Sequence, residues 1–360
     1  MNITPIIYDE IEVRHKGDKL IFIDSAKDEI HTFNVDEKAL DLIKLIDGKK
    51  NNVHLFKELS NVYDDLDIED INKVLNILLS KNIIFNNDYE SYQKIDNRYS
   101  RQVIFFKNLF KSGIDRGIEV QERIKNSTVV VIGVGGLGSW VVFYLAQLGI
   151  KKLIIIDYDR VEISNLNRQI MYTLNDVGHK KIDVIEDKLK SLNPDVTLKK
   201  FDFKYLNSND LNILEENNID FIINCTDEPN VFTTGMLTAE FCMERNIPHI
   251  IGGGYNHHLG MIGPTIIPYK TPCWGCYELQ VQLPEWHDYN VIRKRTNVAP
   301  SLNLLSSLVA SIHTFEIVKV IGGLDIPLIS GKKGELDFVS LNIEYEYFNR
   351  HPNCKLCGKE

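Results

Sequence analysis

The sequence is poor in cysteine, carries no excess of positive charge, and contains no internal repeat or low-complexity tract. Its 6 cysteines in 360 residues are too sparse for the disulfide framework of a small secreted scaffold. Four of them fall in two CxxC pairs, a grouping that suits metal ligation in a reducing compartment. A net charge of -9 excludes the broad basic field with which proteins hold nucleic acid or anionic membranes, although a nucleotide site needs only local positive charge. The opening MNITPIIYDE lacks the basic start and apolar core of a signal peptide, and no apolar run reads as long enough to cross a bilayer. The expectation is a cytoplasmic protein with neither nucleic acid nor membrane as a partner.

What is present is enough apolar material for a sizeable core. A hydrophobic content of 44% beside 25% charged residues is ordinary for a globular chain, and 360 residues hold two domains. The chain is organised around residues 128 to 168. An apolar run, Val129 to Ile132, enters Gly133, Gly135 and Gly138 in GxGxxG spacing. A helical pattern follows to Leu148, and a second apolar run, Leu153 to Ile156, ends at Asp157. Strand, glycine turn, helix, strand and carboxylate in this order predict a nucleotide site. The glycines let the backbone approach phosphates, the helix start offers free N–H groups, and the acid accepts from ribose hydroxyls.

Beyond Gln169 the alternation continues. DVGHKKIDVIEDKLKSLN reads as a helix stopped by Pro194, VTLKKFDF and IDFIINCTD as strands, MLTAEFCMERN as a helix and PHIIGG as a strand. Strands parted by helices predict an α/β fold with a doubly wound, Rossmann-like, mostly parallel sheet, in which ligands bind at the strand C-terminal ends. Asp157 and Asp227 both stand at such ends. A dehydrogenase would next present a nicotinamide site; here Asp159, Asn165, Arg168, Gln169 and Lys181 follow instead. Cations and amides beside a glycine turn suit a triphosphate, and a second carboxylate at Asp227 suits Mg²⁺.

Upstream, Ile6 to Arg14, Lys19 to Asp24 and Glu29 to Phe33 read as strands, and DEKALDLIKLI, VHLFKELSNVY and IEDINKVLNILLSKN as amphipathic helices. This predicts a small winged-helix-like α+β domain over 1–85, a polar linker over 86–97 and a second domain over 98–360. The order β-β-β-α-α-α, with FNVDEKALDLIKLIDG and VLNILLSKNIIF, resembles the PqqD-like peptide-recognition domain. The resemblance implies that a leader or precursor peptide adds a strand to the edge at Glu29 to Phe33 and lies against the third helix. A structural cap or dimerisation domain is the alternative. DNA binding is disfavoured because the last helix is poor in Lys and Arg.

RYSRQ (Arg98 to Gln102), GVGGLG, DYDRVEISNLNRQ, DVGHKK and CTD, in that order, resemble the E1-like adenylating superfamily from Arg98 to Glu360. The resemblance implies ATP at Gly133, Gly135 and Gly138, ribose contact by Asp157 with Asp159 beside it, and phosphate contacts by Asn165, Arg168 and Lys181. It further implies Mg²⁺ at Asp227 and a homodimer in which Arg101 reaches the partner's ATP site. Arg101, Arg168, Lys181 and Asp227 then form the catalytic set. The reaction is attack of a carboxylate on the α-phosphate, which calls for positioning and charge neutralisation.

Cys273 with Cys276 and Cys354 with Cys357 suit a tetrahedral structural Zn²⁺, a redox dithiol being the rival reading of either pair; the family carries zinc at matching positions. Cys225 and Cys242 read as buried core residues. Members of the superfamily that form a thioester or persulfide place a cysteine in the crossover loop. The corresponding RKRTNVAP, Arg293 to Pro300, has none, and no rhodanese or ubiquitin-fold domain is expected after the second CxxC.

GGGYNHHLGMIGPTIIPYKTPCWGC is most similar to the peptide-antibiotic branch, the microcin C7-type and pantocin-type enzymes. This implies adenylation of a precursor-peptide C-terminus or acidic side chain. A non-catalytic leader-binding scaffold and a sulfur-carrier adenylyltransferase are the alternatives. His257 and His258 are candidates near the substrate or plain polar surface, and Arg293, Lys294 and Arg295 either hold an acidic peptide or form a solvated charge run.

Overall fold

The computed structural model describes residues 3–25, 28–87, 95–109, 114–281, 300–325 and 327–358. The chain divides into two compact units, Met1–Gln121 and Glu122–Glu360. Of the segment expected to link two domains, residues 88–94 lie outside the described ones. The stretch from Tyr99 to Gln121 groups with the first unit.

The first unit begins with strands Pro5–Ile7 (β1), Ile11–Lys16 (β2), Lys19–Asp24 (β3) and Glu29–Asn34 (β4). The single strand expected over Ile6 to Arg14 is two strands. A turn closed by the Ile11 amide on the Tyr8 carbonyl (2.9 Å) interrupts it, and Asp9 and Glu10 occupy that turn because acidic residues favour turns over strand interiors. β2, β3 and β4 form an antiparallel meander with β4 at an edge. The period-2 pattern of β3 turns Leu20, Phe22 and Asp24 inward.

Helices Glu37–Leu45 (α1), Asn52–Leu59 (α2) and Ile68–Ser80 (α3) follow, near their expected bounds. Each starts at an acceptor side chain. Asp36 caps Ala39 N–H at 2.8 Å, Asn51 caps His54 N–H at 2.9 Å, and Asp67 with Asp70 forms a capping box. Their inward faces join Phe22, Leu42, Leu55 and Leu75 in one core. Ile84–Asn86 (β5) returns to pair with β1. Ser100–Leu109 (α4) and Ile114–Asn126 (α5) come next.

The second unit has strands Thr128–Ile132 (β6), Lys152–Ile156 (β7), Thr197–Phe201 (β8), Phe221–Asn224 (β9) and His249–Ile251 (β10), with helices Gly138–Leu148 (α6), Lys181–Leu192 (α7) and Val231–Glu244 (α8) between them. Tyr255–Asn256 (β11), Leu259–Ile262 (β12) and Thr265–Ile266 (β13) follow. The large sheet runs β13-β10-β9-β6-β7-β8, all neighbours parallel except β13 on β10. β6 and β9 are buried throughout because helices cover both faces, which is why they read as unbroken apolar runs. Beyond β13 lie Trp274–Glu278 (α9), Asn303–Ile321 (α10), Lys332–Asp337 (β14) and Ile343–Tyr347 (β15). β11, β12, β14 and β15 form a second, antiparallel sheet.

α10 corrects the expectation that no apolar run reaches spanning length, since an 18-residue window of this 19-residue helix has a mean hydropathy of 1.6. Its apolar face packs with α6 and β12 residues in the main core through Leu305, Val309 and Ile317. Its polar groups bond within the unit. His313 Nε2 accepts from the Gly263 amide at 2.9 Å, and Glu316 Oε2 accepts from Thr265 Oγ1 at 2.7 Å and the Ile329 amide at 2.8 Å. These contacts make it a core helix of a compact unit.

Candidate active site

The carboxyl ends of β6, β7 and β9 open onto one cleft of about 300 Å³. At its floor the chain leaves β6 through Gly133, whose φ of +82° is left-handed and open to glycine at little cost. A Cβ at Gly138 would run into the Gly133 carbonyl oxygen. That close approach lets α6 start directly at the turn, where the Ser139, Trp140 and Val141 amides bond back to the Gly135 and Leu137 carbonyls and the positive end of the helix dipole faces the cleft. Gly133, Gly135 and Gly136 line the cleft, whereas Gly138 serves the turn's tightness from behind it.

Asp157, at the end of β7, is nearly buried. Its Oδ2 accepts from the Val134 amide and its Oδ1 from the Asp159 amide, both at 2.8 Å. Burial pushes its carboxyl above the usual carboxylate range, while nearby Lys181 and the two amides pull it back. Lys181 opens α7 with its side chain buried, and its Nζ lies 2.7 Å from Asp159 Oδ2. A buried ammonium needs a counter-charge. Asp159 supplies it.

Asn165 and Arg168 come from the loop between β7 and α7. The Asn165 Oδ1 accepts from the Glu162 amide at 3.1 Å, and Arg168 donates to the Ser164 carbonyl at 2.7 Å. Trp140 on α6 pins the loop by donating to the Arg168 carbonyl at 3.0 Å. Asp227 follows β9, lines the cleft, and has no hydrogen-bond partner among the described residues. The structure thus brings Gly133, Gly135, Asp157, Asp159, Asn165, Arg168, Lys181 and Asp227 to one cleft. Arg101 sits on α4 in the first unit.

Sequence reasoning missed a group on the same cleft. Tyr158 donates to Glu228 Oε2 at 2.6 Å, and Lys204 lies 2.7 Å from Glu228 Oε1. Tyr255 from β11 also lines the cleft. Tyr158 and Glu228 directly follow the two strand-end acids, which is the signal that could have found them. Lys204 and Tyr255 carry no local signature.

Away from the cleft, Cys273, Cys276, Cys354 and Cys357 converge, buried, with all four Sγ atoms within 4.8 Å of one another. Separations of 3.7 Å (Cys273–Cys276), 3.5 Å (Cys273–Cys354) and 3.2 Å (Cys276–Cys357) are near the ~3.8 Å between sulfurs of a tetrahedral thiolate site with ~2.3 Å metal bonds. The cluster can hold a metal ion.

The model of the ThiF family matches residues 99–356. The chain belongs to the ThiF family. A sulfur carrier protein adenylyltransferase of Thermus thermophilus is 30% identical over 272 residues, 73% of this chain and 91% of the relative. Among solved structures, Escherichia coli MccB with AMPCPP and MccA superposes with a TM-score of 0.75 at 22% identity, covering 100% of both chains; MccB is also solved with ATP. PaaA gives a TM-score of 0.70 at 22% identity, covering 95% of this chain and 100% of PaaA. These likenesses establish the E1-like fold, and with the family they make the chain an ATP-dependent adenylyltransferase.

Within this ThiF-family chain several expected features fall elsewhere. His257, with φ +58°, and His258 form the exposed turn between β11 and β12 and do not line the cleft. Cys242 is buried as expected, but Cys225 is only half-buried and lines the cleft. Its thiol is nonetheless shielded, and burial pushes it well up. It follows Asn224, the last residue of β9, so it leaves the sheet on the side where ligands bind. Arg293, Lys294 and Arg295, with the rest of the stretch to residue 299, lie outside the described residues.

Proposed function

We propose that this adenylyltransferase activates a carboxylate of a ribosomally made precursor peptide, C-terminal or on an acidic side chain, in making a modified peptide product. The observation that carries the proposal is one cleft in which a glycine turn and Lys181 face an unpartnered Asp227 carboxylate, in a chain whose first unit leaves β4 as an edge strand. The edge supports peptide capture by strand addition, as a PqqD-like domain does. The likeness to MccB, described as a microcin C7 biosynthetic enzyme and solved with N-formylated MccA, supports the same branch.

In the proposed step a carboxylate oxygen attacks the α-phosphorus. The bond to the bridging oxygen breaks, and its electron pair leaves with pyrophosphate, giving an acyl-adenylate. Asp157 holds the ribose. Lys181, released from Asp159, and Arg168 neutralise charge growing on phosphoryl oxygens, and the α6 N-terminus adds the positive end of its dipole. Asp227, with both oxygens unengaged, would hold Mg²⁺, which supplies charge neutralisation at the phosphates. The cysteine cluster would hold a structural Zn²⁺, since four thiolates leave no open position for chemistry. A homodimer belongs to the same proposal. Ile163 and Leu174, 72% and 74% exposed on the loop beside the cleft, are apolar surface that a second copy would cover, with Arg101 reaching the partner's nucleotide.

The full chain incubated with ATP, Mg²⁺ and a candidate short peptide should release AMP and pyrophosphate. Release of ADP alone, or no turnover with any peptide, counts against the proposal. A second reading, adenylation of a sulfur-carrier protein, is favoured by the function named for the Thermus relative. Turnover with a carrier ending in Gly-Gly, and none with peptides, decides for it.

A further inference from the structure

Around the glycine turn nearly every polar side chain is spoken for by the fold. Tyr172 donates to the Val134 carbonyl at 2.8 Å, Trp140 to the Arg168 carbonyl, and Thr226 Oγ1 to Asn224 Oδ1 at 2.6 Å. The exceptions are Ser139, whose Oγ is buried without a partner but does not line the cleft, and two neutral side chains that do line it. Gln169 is only 4% exposed, and its Oε1 is sealed from solvent with no hydrogen-bond partner. Its Nε2 faces the turn, 3.7 Å from where a Cβ on Gly135 would stand. The Tyr255 hydroxyl hangs over the next residue, so close that a Cβ on Gly136 would run into it. It has no hydrogen-bond partner among the described residues, and both side chains line the cleft.

Gln169 Nε2 and the Tyr255 hydroxyl are donors with no partner among the described residues, in side chains that line the cleft, and a polar group kept at such a place is one that a ligand can satisfy. Gln169 is not loosely placed. Its backbone amide bonds to the Asn165 carbonyl at 3.0 Å and its carbonyl accepts from the Tyr172 amide at 3.3 Å, which fixes the side chain over the turn. Tyr255 is held by the β11–β12 pairing, opposite Gly260. Two donors thus approach consecutive residues of the turn from separate elements, on a cleft that both line, where an acceptor-rich group can take a hydrogen bond from each.

We propose that Gln169 and Tyr255 form a neutral clamp on a phosphoryl group of the nucleotide, Gln169 donating through Nε2 from the Gly135 side and Tyr255 through its hydroxyl from the Gly136 side. The inference rests on the nucleotide occupying this cleft and adds two ligand contacts to it. Uncharged donors hold the phosphate in place without drawing Lys181 or Arg168 from the developing charge.

The test is calorimetric titration of the full-length protein with Mg-ATP and, separately, with adenosine, for wild type, Gln169→Met and Tyr255→Phe. Neither side-chain group bonds to the fold, so the ligand-free melting temperatures should match wild type. Each variant should bind ATP roughly tenfold more weakly, bind adenosine as wild type does, and raise KM for ATP more than it lowers kcat. ATP affinity within twofold of wild type in both variants overturns the clamp, as does an equal loss for adenosine, which would move the contact to the ribose or base. A wild type that does not bind ATP at all overturns the cleft assignment and the clamp together, and is told apart because the unaltered protein also fails.

Discussion

In the first unit each strand of the β2-β3-β4 sheet pairs with its neighbour in sequence, while the large sheet of the second unit sets β6 beside β9, some ninety residues on. The local sheet leaves an edge at β4 on which a partner can lie. The nonlocal sheet leaves a crevice where strand order reverses, and the polar groups gather there. Buried ionisable groups differ in kind between the units. The second unit buries Asp157, Lys181, His249, His313, Glu316 and five cysteines; the first buries Asp24 and Lys107, while its histidines, His15, His31 and His54, are exposed or half-buried. Phosphoryl chemistry needs polar groups held out of water, and the fold must stabilise them.

The largest way to break this comparison is at the cysteine cluster. Cys276→Ser, or a strong chelator on the full chain, should lower the melting temperature on the order of 10 °C and expose amides of the second unit first. Hydrogen exchange read by mass spectrometry checks it; equal loss in both units would contradict an independent core. Next in size, Asp227→Ala should cut turnover about 10²- to 10³-fold with circular dichroism and melting unchanged, because the side chain bonds to nothing in the fold. Wild-type turnover would remove Asp227 from the mechanism.

Acid separates the units by a smaller effect. Burial lowers His249 to about 4 and His313 to about 3, below the unfolded value of about 6.5. The folded state then binds fewer protons than the unfolded one. The stability these neutral rings contribute is complete above pH ~6.5 and is lost as pH falls toward the folded values, by up to about 1.4 kcal/mol per pH unit for each. His313→Gln, which keeps an acceptor for the Gly263 amide, should flatten that slope in urea titrations between pH 7 and 5. An unchanged slope would mean that His313 is not held neutral. The smallest effect belongs to the edge. Ile30→Lys on β4, 66% exposed in the wild type, should change stability by less than about 0.5 kcal/mol yet weaken precursor-peptide affinity several-fold. Unchanged anisotropy binding curves would take the peptide off this edge.

How much could be read beforehand follows from the range of the forces involved. α1, α2 and α3 were legible because their apolar positions recur every three or four residues behind capping Asp or Asn residues. β6, β7 and β9 were legible as apolar runs ended by glycine or acid, and with them Asp157, Asp227 and the loop residues Asn165 and Arg168. α10 was not, because its buried face includes Ser306, His313, Thr314 and Glu316; Ser306 and Thr314 bond back to the helix backbone, and His313 and Glu316 find partners at Gly263, Thr265 and Ile329, none of which leaves a periodic trace. The sheet β11-β12-β14-β15 escaped for the same reason: Leu259 pairs with Asp337, and no local pattern announces that register.

The residues themselves therefore determined the doubly wound α/β architecture, the GxGxxG turn with the acid that ends the next strand, and the pairing of two CxxC motifs, since each depends on short-range spacing and backbone geometry. Only the tertiary structure decided that Lys181 waits on Asp159, that Cys225 faces the cleft, that His257 and His258 do not, and that Gln169 and Tyr255 meet over one glycine turn. Those facts depend on which distant surfaces exclude water together, and desolvation is a property of the folded whole.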